Sequence, residues 1–194
     1  MFMRILSNML AFSIFIISLG VILYVFLPKL EGSLLLQSFQ KKDVPMPTML
    51  HPKVEEYKNN LIASSKERGI DIVITEGHRS MERQNELYDR GRSTDGDIVT
   101  YAEGGESYHN YGLAIDFALR LENGNVVWDM NRDGNGNGEA DWLEVVSLAK
   151  DMGFEWGGDF SNFKDYPHFQ MDFGLSIREL QFGKRPKVDQ YAEK

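Results

Sequence analysis

The fold of this chain is decided by one stretch, Ser107-Tyr-His-Asn-Tyr-Gly-Leu-Ala-Ile-Asp-Phe117. Successive side chains of a β-strand point to opposite faces of the sheet. From Gly112 onward, small residues on one face surround a single carboxylate, Asp116. The other face is apolar and carries Leu113, Ile115, Phe117 and Leu119. The alternation predicts a strand with its back in the core and with room beside Asp116 for an ion and a substrate.

His109 precedes this strand. In a straight strand it would lie roughly 23 Å from Asp116, at ~3.3 Å per residue, and on the opposite face. The two side chains share a site only if the chain turns between them. Asn110 to Gly112 suit such a turn, because Asn and Gly tolerate the backbone angles it requires. We therefore predict a turn at Asn110 to Gly112.

A second segment, Asp165-Tyr-Pro-His-Phe169, repeats the alternation. Pro167 cannot donate to a strand ladder, so it should begin a strand or mark an edge. After Pro167, one face is apolar and carries Phe169, Met171 and Phe173. The other face carries His168, Gln170 and Asp172. His168 is thus predicted to project from a strand whose back is buried.

Together, His109, Asp116 and His168 offer two imidazoles and one carboxylate. Three such ligands leave a fourth position for water, which is typical of a catalytic zinc site. Asp165 would then be the general base that takes a proton from that water. The alternative is that the histidines are ordinary hydrogen-bonded residues and that the aspartates are turn formers.

The pattern SxHxxGxAxD formed by Ser107, His109, Gly112, Ala114 and Asp116 resembles the signature of a family of zinc peptidases of the bacterial cell wall. That family contains D-Ala-D-Ala carboxypeptidases, D-Ala-D-Ala dipeptidases and L-alanyl-D-glutamate endopeptidases. The segment from Asp165 to His168 is similar to its acidic-x-x-His element. Asp in place of Glu at the first position resembles the endopeptidase branch.

Upstream, Gly77-His-Arg-Ser80 is similar to the family's GYRS segment, although His78 replaces its usual aromatic residue. Arg79 matches the arginine that stabilises the substrate's oxyanion. Ser107 and Gln84 are expected to contact substrate or to support the site.

The resemblance implies a zinc peptidase that acts on the peptidoglycan stem peptide, with the L-Ala–D-Glu bond preferred. One alternative is a D-Ala-D-Ala carboxypeptidase. Another is a non-catalytic, membrane-tethered module that binds the cell wall. The expected fold is α+β, a small antiparallel sheet flanked by helices with zinc on the sheet.

Composition fits one globular domain with an appendage, since hydrophobic residues make up 42% of 194 residues. The net charge of −8 argues against nucleic acid as a partner, because a phosphate-binding surface is normally basic. The chain has no Cys, which excludes disulfides and thiolate metal sites.

The appendage is the N-terminal segment 1–27. Residues 5–27 carry no charge and are long enough to cross a ~30 Å hydrocarbon layer. We expect a retained transmembrane helix rather than a signal peptide, because no A-x-A cleavage pattern follows it. Residues 28–47 would be a tether and 48–194 the peptidase domain. Flanking basic residues leave the orientation ambiguous. The position of peptidoglycan predicts a single-pass membrane protein whose domain lies on the cell-wall side.

A separate loop rich in Asp, Asn and Gly lies between Trp128 and Trp142. Its oxygen-bearing residues alternate in a manner similar to an EF-hand calcium loop, although Ala140 stands where that loop ends in Glu. The candidate ligands for Ca²⁺ are Asp129, Asn131, Asp133, Asn135 and Asp141. The alternative is a hydrophilic turn.

Overall fold

The computed structural model of the protein describes residues 42–187, of which 43–187 belong to one structural unit. The predicted transmembrane segment and most of the predicted tether lie outside the described residues. Among the helices that are described, none is long and apolar enough to cross a membrane.

The described part contains α-helices and short β-strands in mixed order. The helices are α1 (Pro52–Glu67), α2 (Met81–Asp89), α3 (Asp141–Asp151) and α4 (Ile177–Gln181). The strands are β1 (Ile72–Glu76), β2 (Ala114–Arg120), β3 (Val126–Val127), β4 (Glu155–Trp156) and β5 (His168–Gln170). Two 3₁₀ turns span Tyr108–Tyr111 and Gly157–Asp159.

The strands form one antiparallel sheet in the order β1-β2-β5-β4, and β3 pairs with the end of β2. Asp116 of β2 is paired with His168 of β5 and, across an irregularity in β1, with Glu76. The predicted α+β fold with a small antiparallel sheet is confirmed.

The apolar face of the sheet packs against α1 and α3. Phe117 stacks on Phe169 with ring centroids 4.9 Å apart and contacts Trp142 of α3 at 4.3 Å. Ile115, Phe117 and Leu119 are all buried in this core, as the alternation predicts. Leu113 precedes β2 and instead packs in a second cluster with Tyr111 and Leu180.

The helix ends follow local sequence signals. His51 caps α1, since its Nδ1 accepts the Lys53 N–H, and Pro52 occupies the first turn, where a missing N–H costs nothing. Ser80 caps α2 by accepting the Arg83 N–H. Because Ser80 caps it, α2 begins at Met81, two residues after Arg79.

The turn predicted at Asn110 to Gly112 begins two residues earlier, as the 3₁₀ turn Tyr108–Tyr111. Ser107 caps it, and Gly112 ends it in the left-handed conformation, with φ 67°. A Cβ at position 112 would lie 2.3 Å from the backbone oxygen of Met49. Gly112 is therefore required both by its φ angle and by the close approach of the chain before α1.

Candidate metal centre

Three side chains meet where the turn and two strands come together. His109 Nε2 lies 3.1 Å from His168 Nδ1 and 3.2 Å from Asp116 Oδ1, and His168 Nδ1 lies 3.1 Å from the same oxygen. Zinc bonds of about 2.0–2.1 Å in a tetrahedron separate the ligand atoms by roughly 3.3 Å. The three atoms already have the spacing of a zinc site. Within residues 42–187, this is the one cluster of His, Cys, Asp and Glu side chains able to hold a metal ion.

Both imidazoles are held in the tautomer that metal binding needs. His109 Nδ1 donates to the Gly77 carbonyl at 2.8 Å, which leaves Nε2 as the ligand atom. His168 Nε2 donates to Gln170 Oε1 at 3.1 Å, which leaves Nδ1 as the ligand atom. Partners on the far side of a ligating histidine fix its orientation and raise its basicity.

Gln170 is itself anchored, because its Nε2 donates to Glu155 Oε2 at 2.9 Å across the β4–β5 pair. The sequence placed Gln170 on the same strand face as His168 but gave it no role. Gln170 lies two residues after the predicted ligand His168, and this spacing could have indicated a supporting role.

The charges of the cluster suit a cation. Burial acts to raise the pKa of Asp116, but hydrogen bonds and charge from His109 and His168 outweigh it and hold that pKa well below its ordinary value. Burial acts to lower the pKa of His168, yet the adjacent Asp116 raises it above the ordinary value. Asp116 is thus a carboxylate at any physiological pH and favours positive charge beside it.

Asp165, the predicted base, lies one tight turn before His168. The His168 N–H donates to the Asp165 carbonyl at 3.2 Å, and the Asp165 N–H donates to the Gly157 carbonyl at 3.1 Å. A Cβ at position 157 would lie 2.3 Å from the Asp165 oxygen, so this approach requires glycine. Burial raises the pKa of Asp165, which favours its taking up a proton.

Arg79 faces the carboxylate oxygen of Asp116 that the two histidines leave free. Its Nη2 is 3.5 Å from Asp116 Oδ2, and its Nε is 3.4 Å from Glu76 Oε2. Its Nη1 donates to Gln84 Oε1 at 2.9 Å. The side chain is only 11% exposed, so the guanidinium is fixed beside a metal ligand rather than free on the surface.

Gln84 and Ser107, which were predicted to contact substrate or to support the site, both contact residues in or beside the cluster. Gln84 is completely buried, and its Nε2 donates to the Ala102 carbonyl at 2.7 Å while its oxygen holds Arg79. Ser107 Oγ accepts the N–H of His109 at 3.3 Å. Each residue positions a neighbour that carries the predicted chemistry.

The metal centre lies in a cleft of about 770 Å³. His109, Asp116, His168, Asp165 and Arg79 all line it. Its walls also include four Tyr, Trp and Phe side chains for which the sequence pattern predicted no role, namely Tyr101, Tyr108, Trp128 and Phe163.

The Asp/Asn loop has a different arrangement. Asp133 accepts N–H groups from Gly136 and Gly138, and Asp141 accepts the Gly134 N–H at 2.9 Å. Asp129 similarly accepts the N–H of Asn131, while Asn135 donates to Glu144 and to the Arg68 carbonyl. Hydrogen bonds within the loop and to Arg68 and Glu144 hold these side chains, and calcium binding remains a prediction.

Comparison with known proteins places these residues in a family. The family model described as D-alanyl-D-alanine carboxypeptidase matches residues 100–171. The peptidoglycan L-alanyl-D-glutamate endopeptidase CwlK of Bacillus subtilis strain 168 is 60% identical over 130 residues, which cover 67% of this chain and 78% of that protein. The chain belongs to this peptidase family.

Two further proteins are similar at lower identity. The L-alanyl-D-glutamate peptidase of Listeria phage A118 is 34% identical over 113 residues, covering 58% of this chain and 34% of the phage protein. The crystal structure of the L-Ala D-Glu endopeptidase ChiX of Serratia marcescens is similar with 28% identity and a TM-score of 0.44, covering 64% of this chain and 81% of that one.

The 60% identity to CwlK confirms the predicted membership of the cell-wall peptidase family. All three predicted zinc ligands and Asp165 fall inside the matched region of the peptidase family, whereas Arg79 and Gln84 precede it. The structure nevertheless brings Arg79 to the same centre.

Proposed function

We propose that this protein is a zinc-dependent endopeptidase that hydrolyses the L-Ala–D-Glu bond of the peptidoglycan stem peptide. The observation that carries the proposal is the triangle of ligand atoms, 3.1–3.2 Å on each edge, in a cleft that also contains Asp165 and Arg79. The choice of bond is supported by the 60% identity to an L-alanyl-D-glutamate endopeptidase.

His109 Nε2, His168 Nδ1 and Asp116 Oδ1 would hold the zinc. When bound, the metal supplies Lewis-acid polarisation of the scissile carbonyl and acidifies a water molecule. Asp165 accepts the proton that the attacking water loses and delivers it to the leaving amine. Its raised pKa suits both steps, because the carboxyl must hold the proton between them.

Arg79 stabilises the negative charge that develops on the carbonyl oxygen. A guanidinium can donate two parallel N–H groups, and a donor that is already oriented costs no reorganisation during the reaction. Glu76, Gln84 and Asp116 supply that orientation. The site therefore combines a base, a metal and an oxyanion donor, as amide hydrolysis requires.

The test is product analysis of muropeptides digested by the full-length, zinc-loaded protein. Mass spectrometry should show a peptide that begins with D-Glu. Release of free D-Ala instead would support D-Ala-D-Ala carboxypeptidase action, which the description of the matching family model favours. Digestion of neither bond would support the wall-binding module, against which the retention of Asp165 and Arg79 argues.

We also propose that residues 5–27 anchor the protein in the cell membrane with the peptidase domain on the cell-wall side. The uncharged run in the sequence supports this proposal. External protease added to intact, wall-stripped cells should remove the domain, and complete protection would contradict this location.

Calcium binding in the Asp/Asn loop is a further proposal, and it rests on the residue pattern alone. Calorimetry of the full-length protein should detect heat of Ca²⁺ binding that Asp133→Asn reduces. Absence of binding at millimolar Ca²⁺ would leave the loop as a hydrogen-bonded turn.

A further inference from the structure

The exposed aromatic side chains of Tyr101, Trp128 and Phe163 line the cleft that contains the metal centre, and those of Tyr101 and Phe163 contact each other. Tyr101 is 68% exposed and Phe163 is 50% exposed, although large aromatic side chains are usually mostly buried. Their ring centroids are 5.6 Å apart with an angle of 80° between the planes. They come from separate loops, before the 3₁₀ turn that holds His109 and before the segment that holds Asp165. We refer to this pair as the aromatic platform.

The segment that carries Tyr101 is anchored on both sides despite the exposure of the ring. Arg92 Nη2 donates to the Thr100 carbonyl at 3.0 Å, and its guanidinium lies 5.6 Å from the centre of the Tyr101 ring. On the other side of Tyr101, the Ala102 carbonyl accepts Gln84 Nε2. Gln84 also accepts a hydrogen bond from Arg79, so one buried residue connects the backbone next to Tyr101 with the Arg79 side chain.

The stem peptide offers this platform no apolar side-chain face of its own. It consists of alanine, glutamate and a diamino acid, none of which has a large apolar side chain. The amine of L-Ala, however, is joined to the lactyl group of muramic acid. Only L-Ala, which spans at most about 3.6 Å, lies between the L-Ala–D-Glu bond and this lactyl group. A pyranose ring is therefore the next group along the substrate, and its C–H faces are apolar.

The charge of the cleft is compatible with a sugar. The cleft is lined by the carboxylates of Glu76, Glu106, Asp116 and Asp165 and by one guanidinium, that of Arg79. The muramyl residue of a stem peptide is uncharged, because its carboxyl group has become the amide to L-Ala. A neutral ligand with an apolar face suits an aromatic wall near these acidic groups.

We propose that the aromatic platform binds the muramic acid ring to which the stem peptide is attached. The inference rests on the proposed function and deepens it, because it makes the glycan part of the recognised substrate. Stacking on the platform would hold L-Ala next to the metal centre and would distinguish a wall-bound stem from a free peptide.

The experiment compares two substrates of the full-length, zinc-loaded protein, an N-acetylmuramyl stem peptide and the same peptide with only an acetyl group on L-Ala. The wild type should show the lower KM for the muramyl substrate. Tyr101→Ala and Phe163→Ala should each raise that KM about 3- to 10-fold, the loss of roughly one aromatic contact. The KM for the acetyl peptide should not change, and Tyr101→Phe should behave as the wild type.

Leu143→Ala is the matched control, because Leu143 is 49% exposed on α3 and does not line the cleft. It should leave both KM values unchanged. Equal KM values for the two substrates in the wild type, or equal losses on both in the variants, would overturn the platform's role while leaving hydrolysis intact. Failure of the wild type to cut L-Ala–D-Glu in either substrate would instead overturn the proposed function.

Discussion

Gln170→Leu should weaken zinc binding although Gln170 is not a ligand. The side chain accepts the Nε2–H of His168 at 3.1 Å and is held by Glu155 at 2.9 Å. Leucine has a similar size but neither accepts nor donates a hydrogen bond. The change therefore removes the group that fixes the His168 tautomer and leaves the packing volume nearly constant.

The magnitude follows from burial. His168 is almost completely buried, so its Nε2–H would lose its partner without gaining full access to water. An unsatisfied buried donor costs about 1–3 kcal/mol. Since ~1.4 kcal/mol is a factor of ten, zinc should bind roughly 10- to 100-fold more weakly, which is also the range for lost partners of metal-bound histidines. Glu155 is exposed and remains solvated, so its own loss of a partner adds little.

Competition for zinc against a chromogenic chelator at neutral pH measures the effect without any substrate. Circular dichroism of each variant checks that the fold is kept. Glu155→Ala is the matched control, because it removes the outer hydrogen bond but keeps the Gln170 acceptor, and it should weaken binding less than about threefold. Wild-type zinc affinity in Gln170→Leu, or equal losses in both variants, would refute the reasoning.

Four further outcomes are expected. Asp165→Ala should retain zinc, measured by metal analysis, but lose about 10²- to 10⁴-fold in kcat, and full activity would exclude it as the base. Arg79→Lys should lower kcat by about 10²- to 10³-fold with little change in zinc content, because a point charge replaces an oriented fork of donors. Zinc affinity should fall as the pH drops, since protons compete for the imidazoles. Because Asp116 raises the pKa of His168 in the metal-free site, calorimetric titrations should show the loss beginning above the ordinary histidine value of about 6.5. Gly112→Ala should lower the melting temperature by an amount that corresponds to more than about 1 kcal/mol, because its φ is positive and its Cβ would collide with the chain near Met49.

Strand alternation was enough to predict much of the centre. Asp116 and His168 lie on paired strands with their backs in the core, and His109 reaches them through a turn that ends at Gly112, although it begins two residues before the predicted Asn110. These features are local, because a period of two and a Gly or Asn turn can be read from a few adjacent residues. The predicted ligands therefore came together in the structure.

Contacts that depend on distant segments could not be read in the same way. The Gln170 to Glu155 bond depends on the register of β4 against β5, and β4 has only two residues. The contact between Tyr101 and Phe163 joins two loops whose paths no periodicity fixes. Sequence alternation orients side chains relative to their own strand but does not determine which strand lies beside it.

The Asp/Asn loop illustrates a similar ambiguity. Oxygen-bearing side chains at alternate positions suit a calcium ion, but they equally suit the N–H groups of a glycine-rich turn. Asp133 uses both of its carboxylate oxygens for such N–H groups, and Asp141 accepts another from Gly134. A residue pattern alone does not distinguish the two uses, because both need the same acceptors at similar spacing.

The register of β2 determines where the metal centre forms. Asp116 faces His168 on one side and Glu76 on the other, so one residue brings together a ligand and the carboxylate that holds Arg79. A slip of one residue would turn Asp116 toward the core and expose the apolar face. Each large apolar side chain removed from the core would cost about 1.5–3 kcal/mol, and β2 buries Ile115, Phe117 and Leu119. Burial of Ile115, Phe117 and Leu119 on the core face of β2 thus keeps Asp116 on the opposite face, where the three predicted ligands meet.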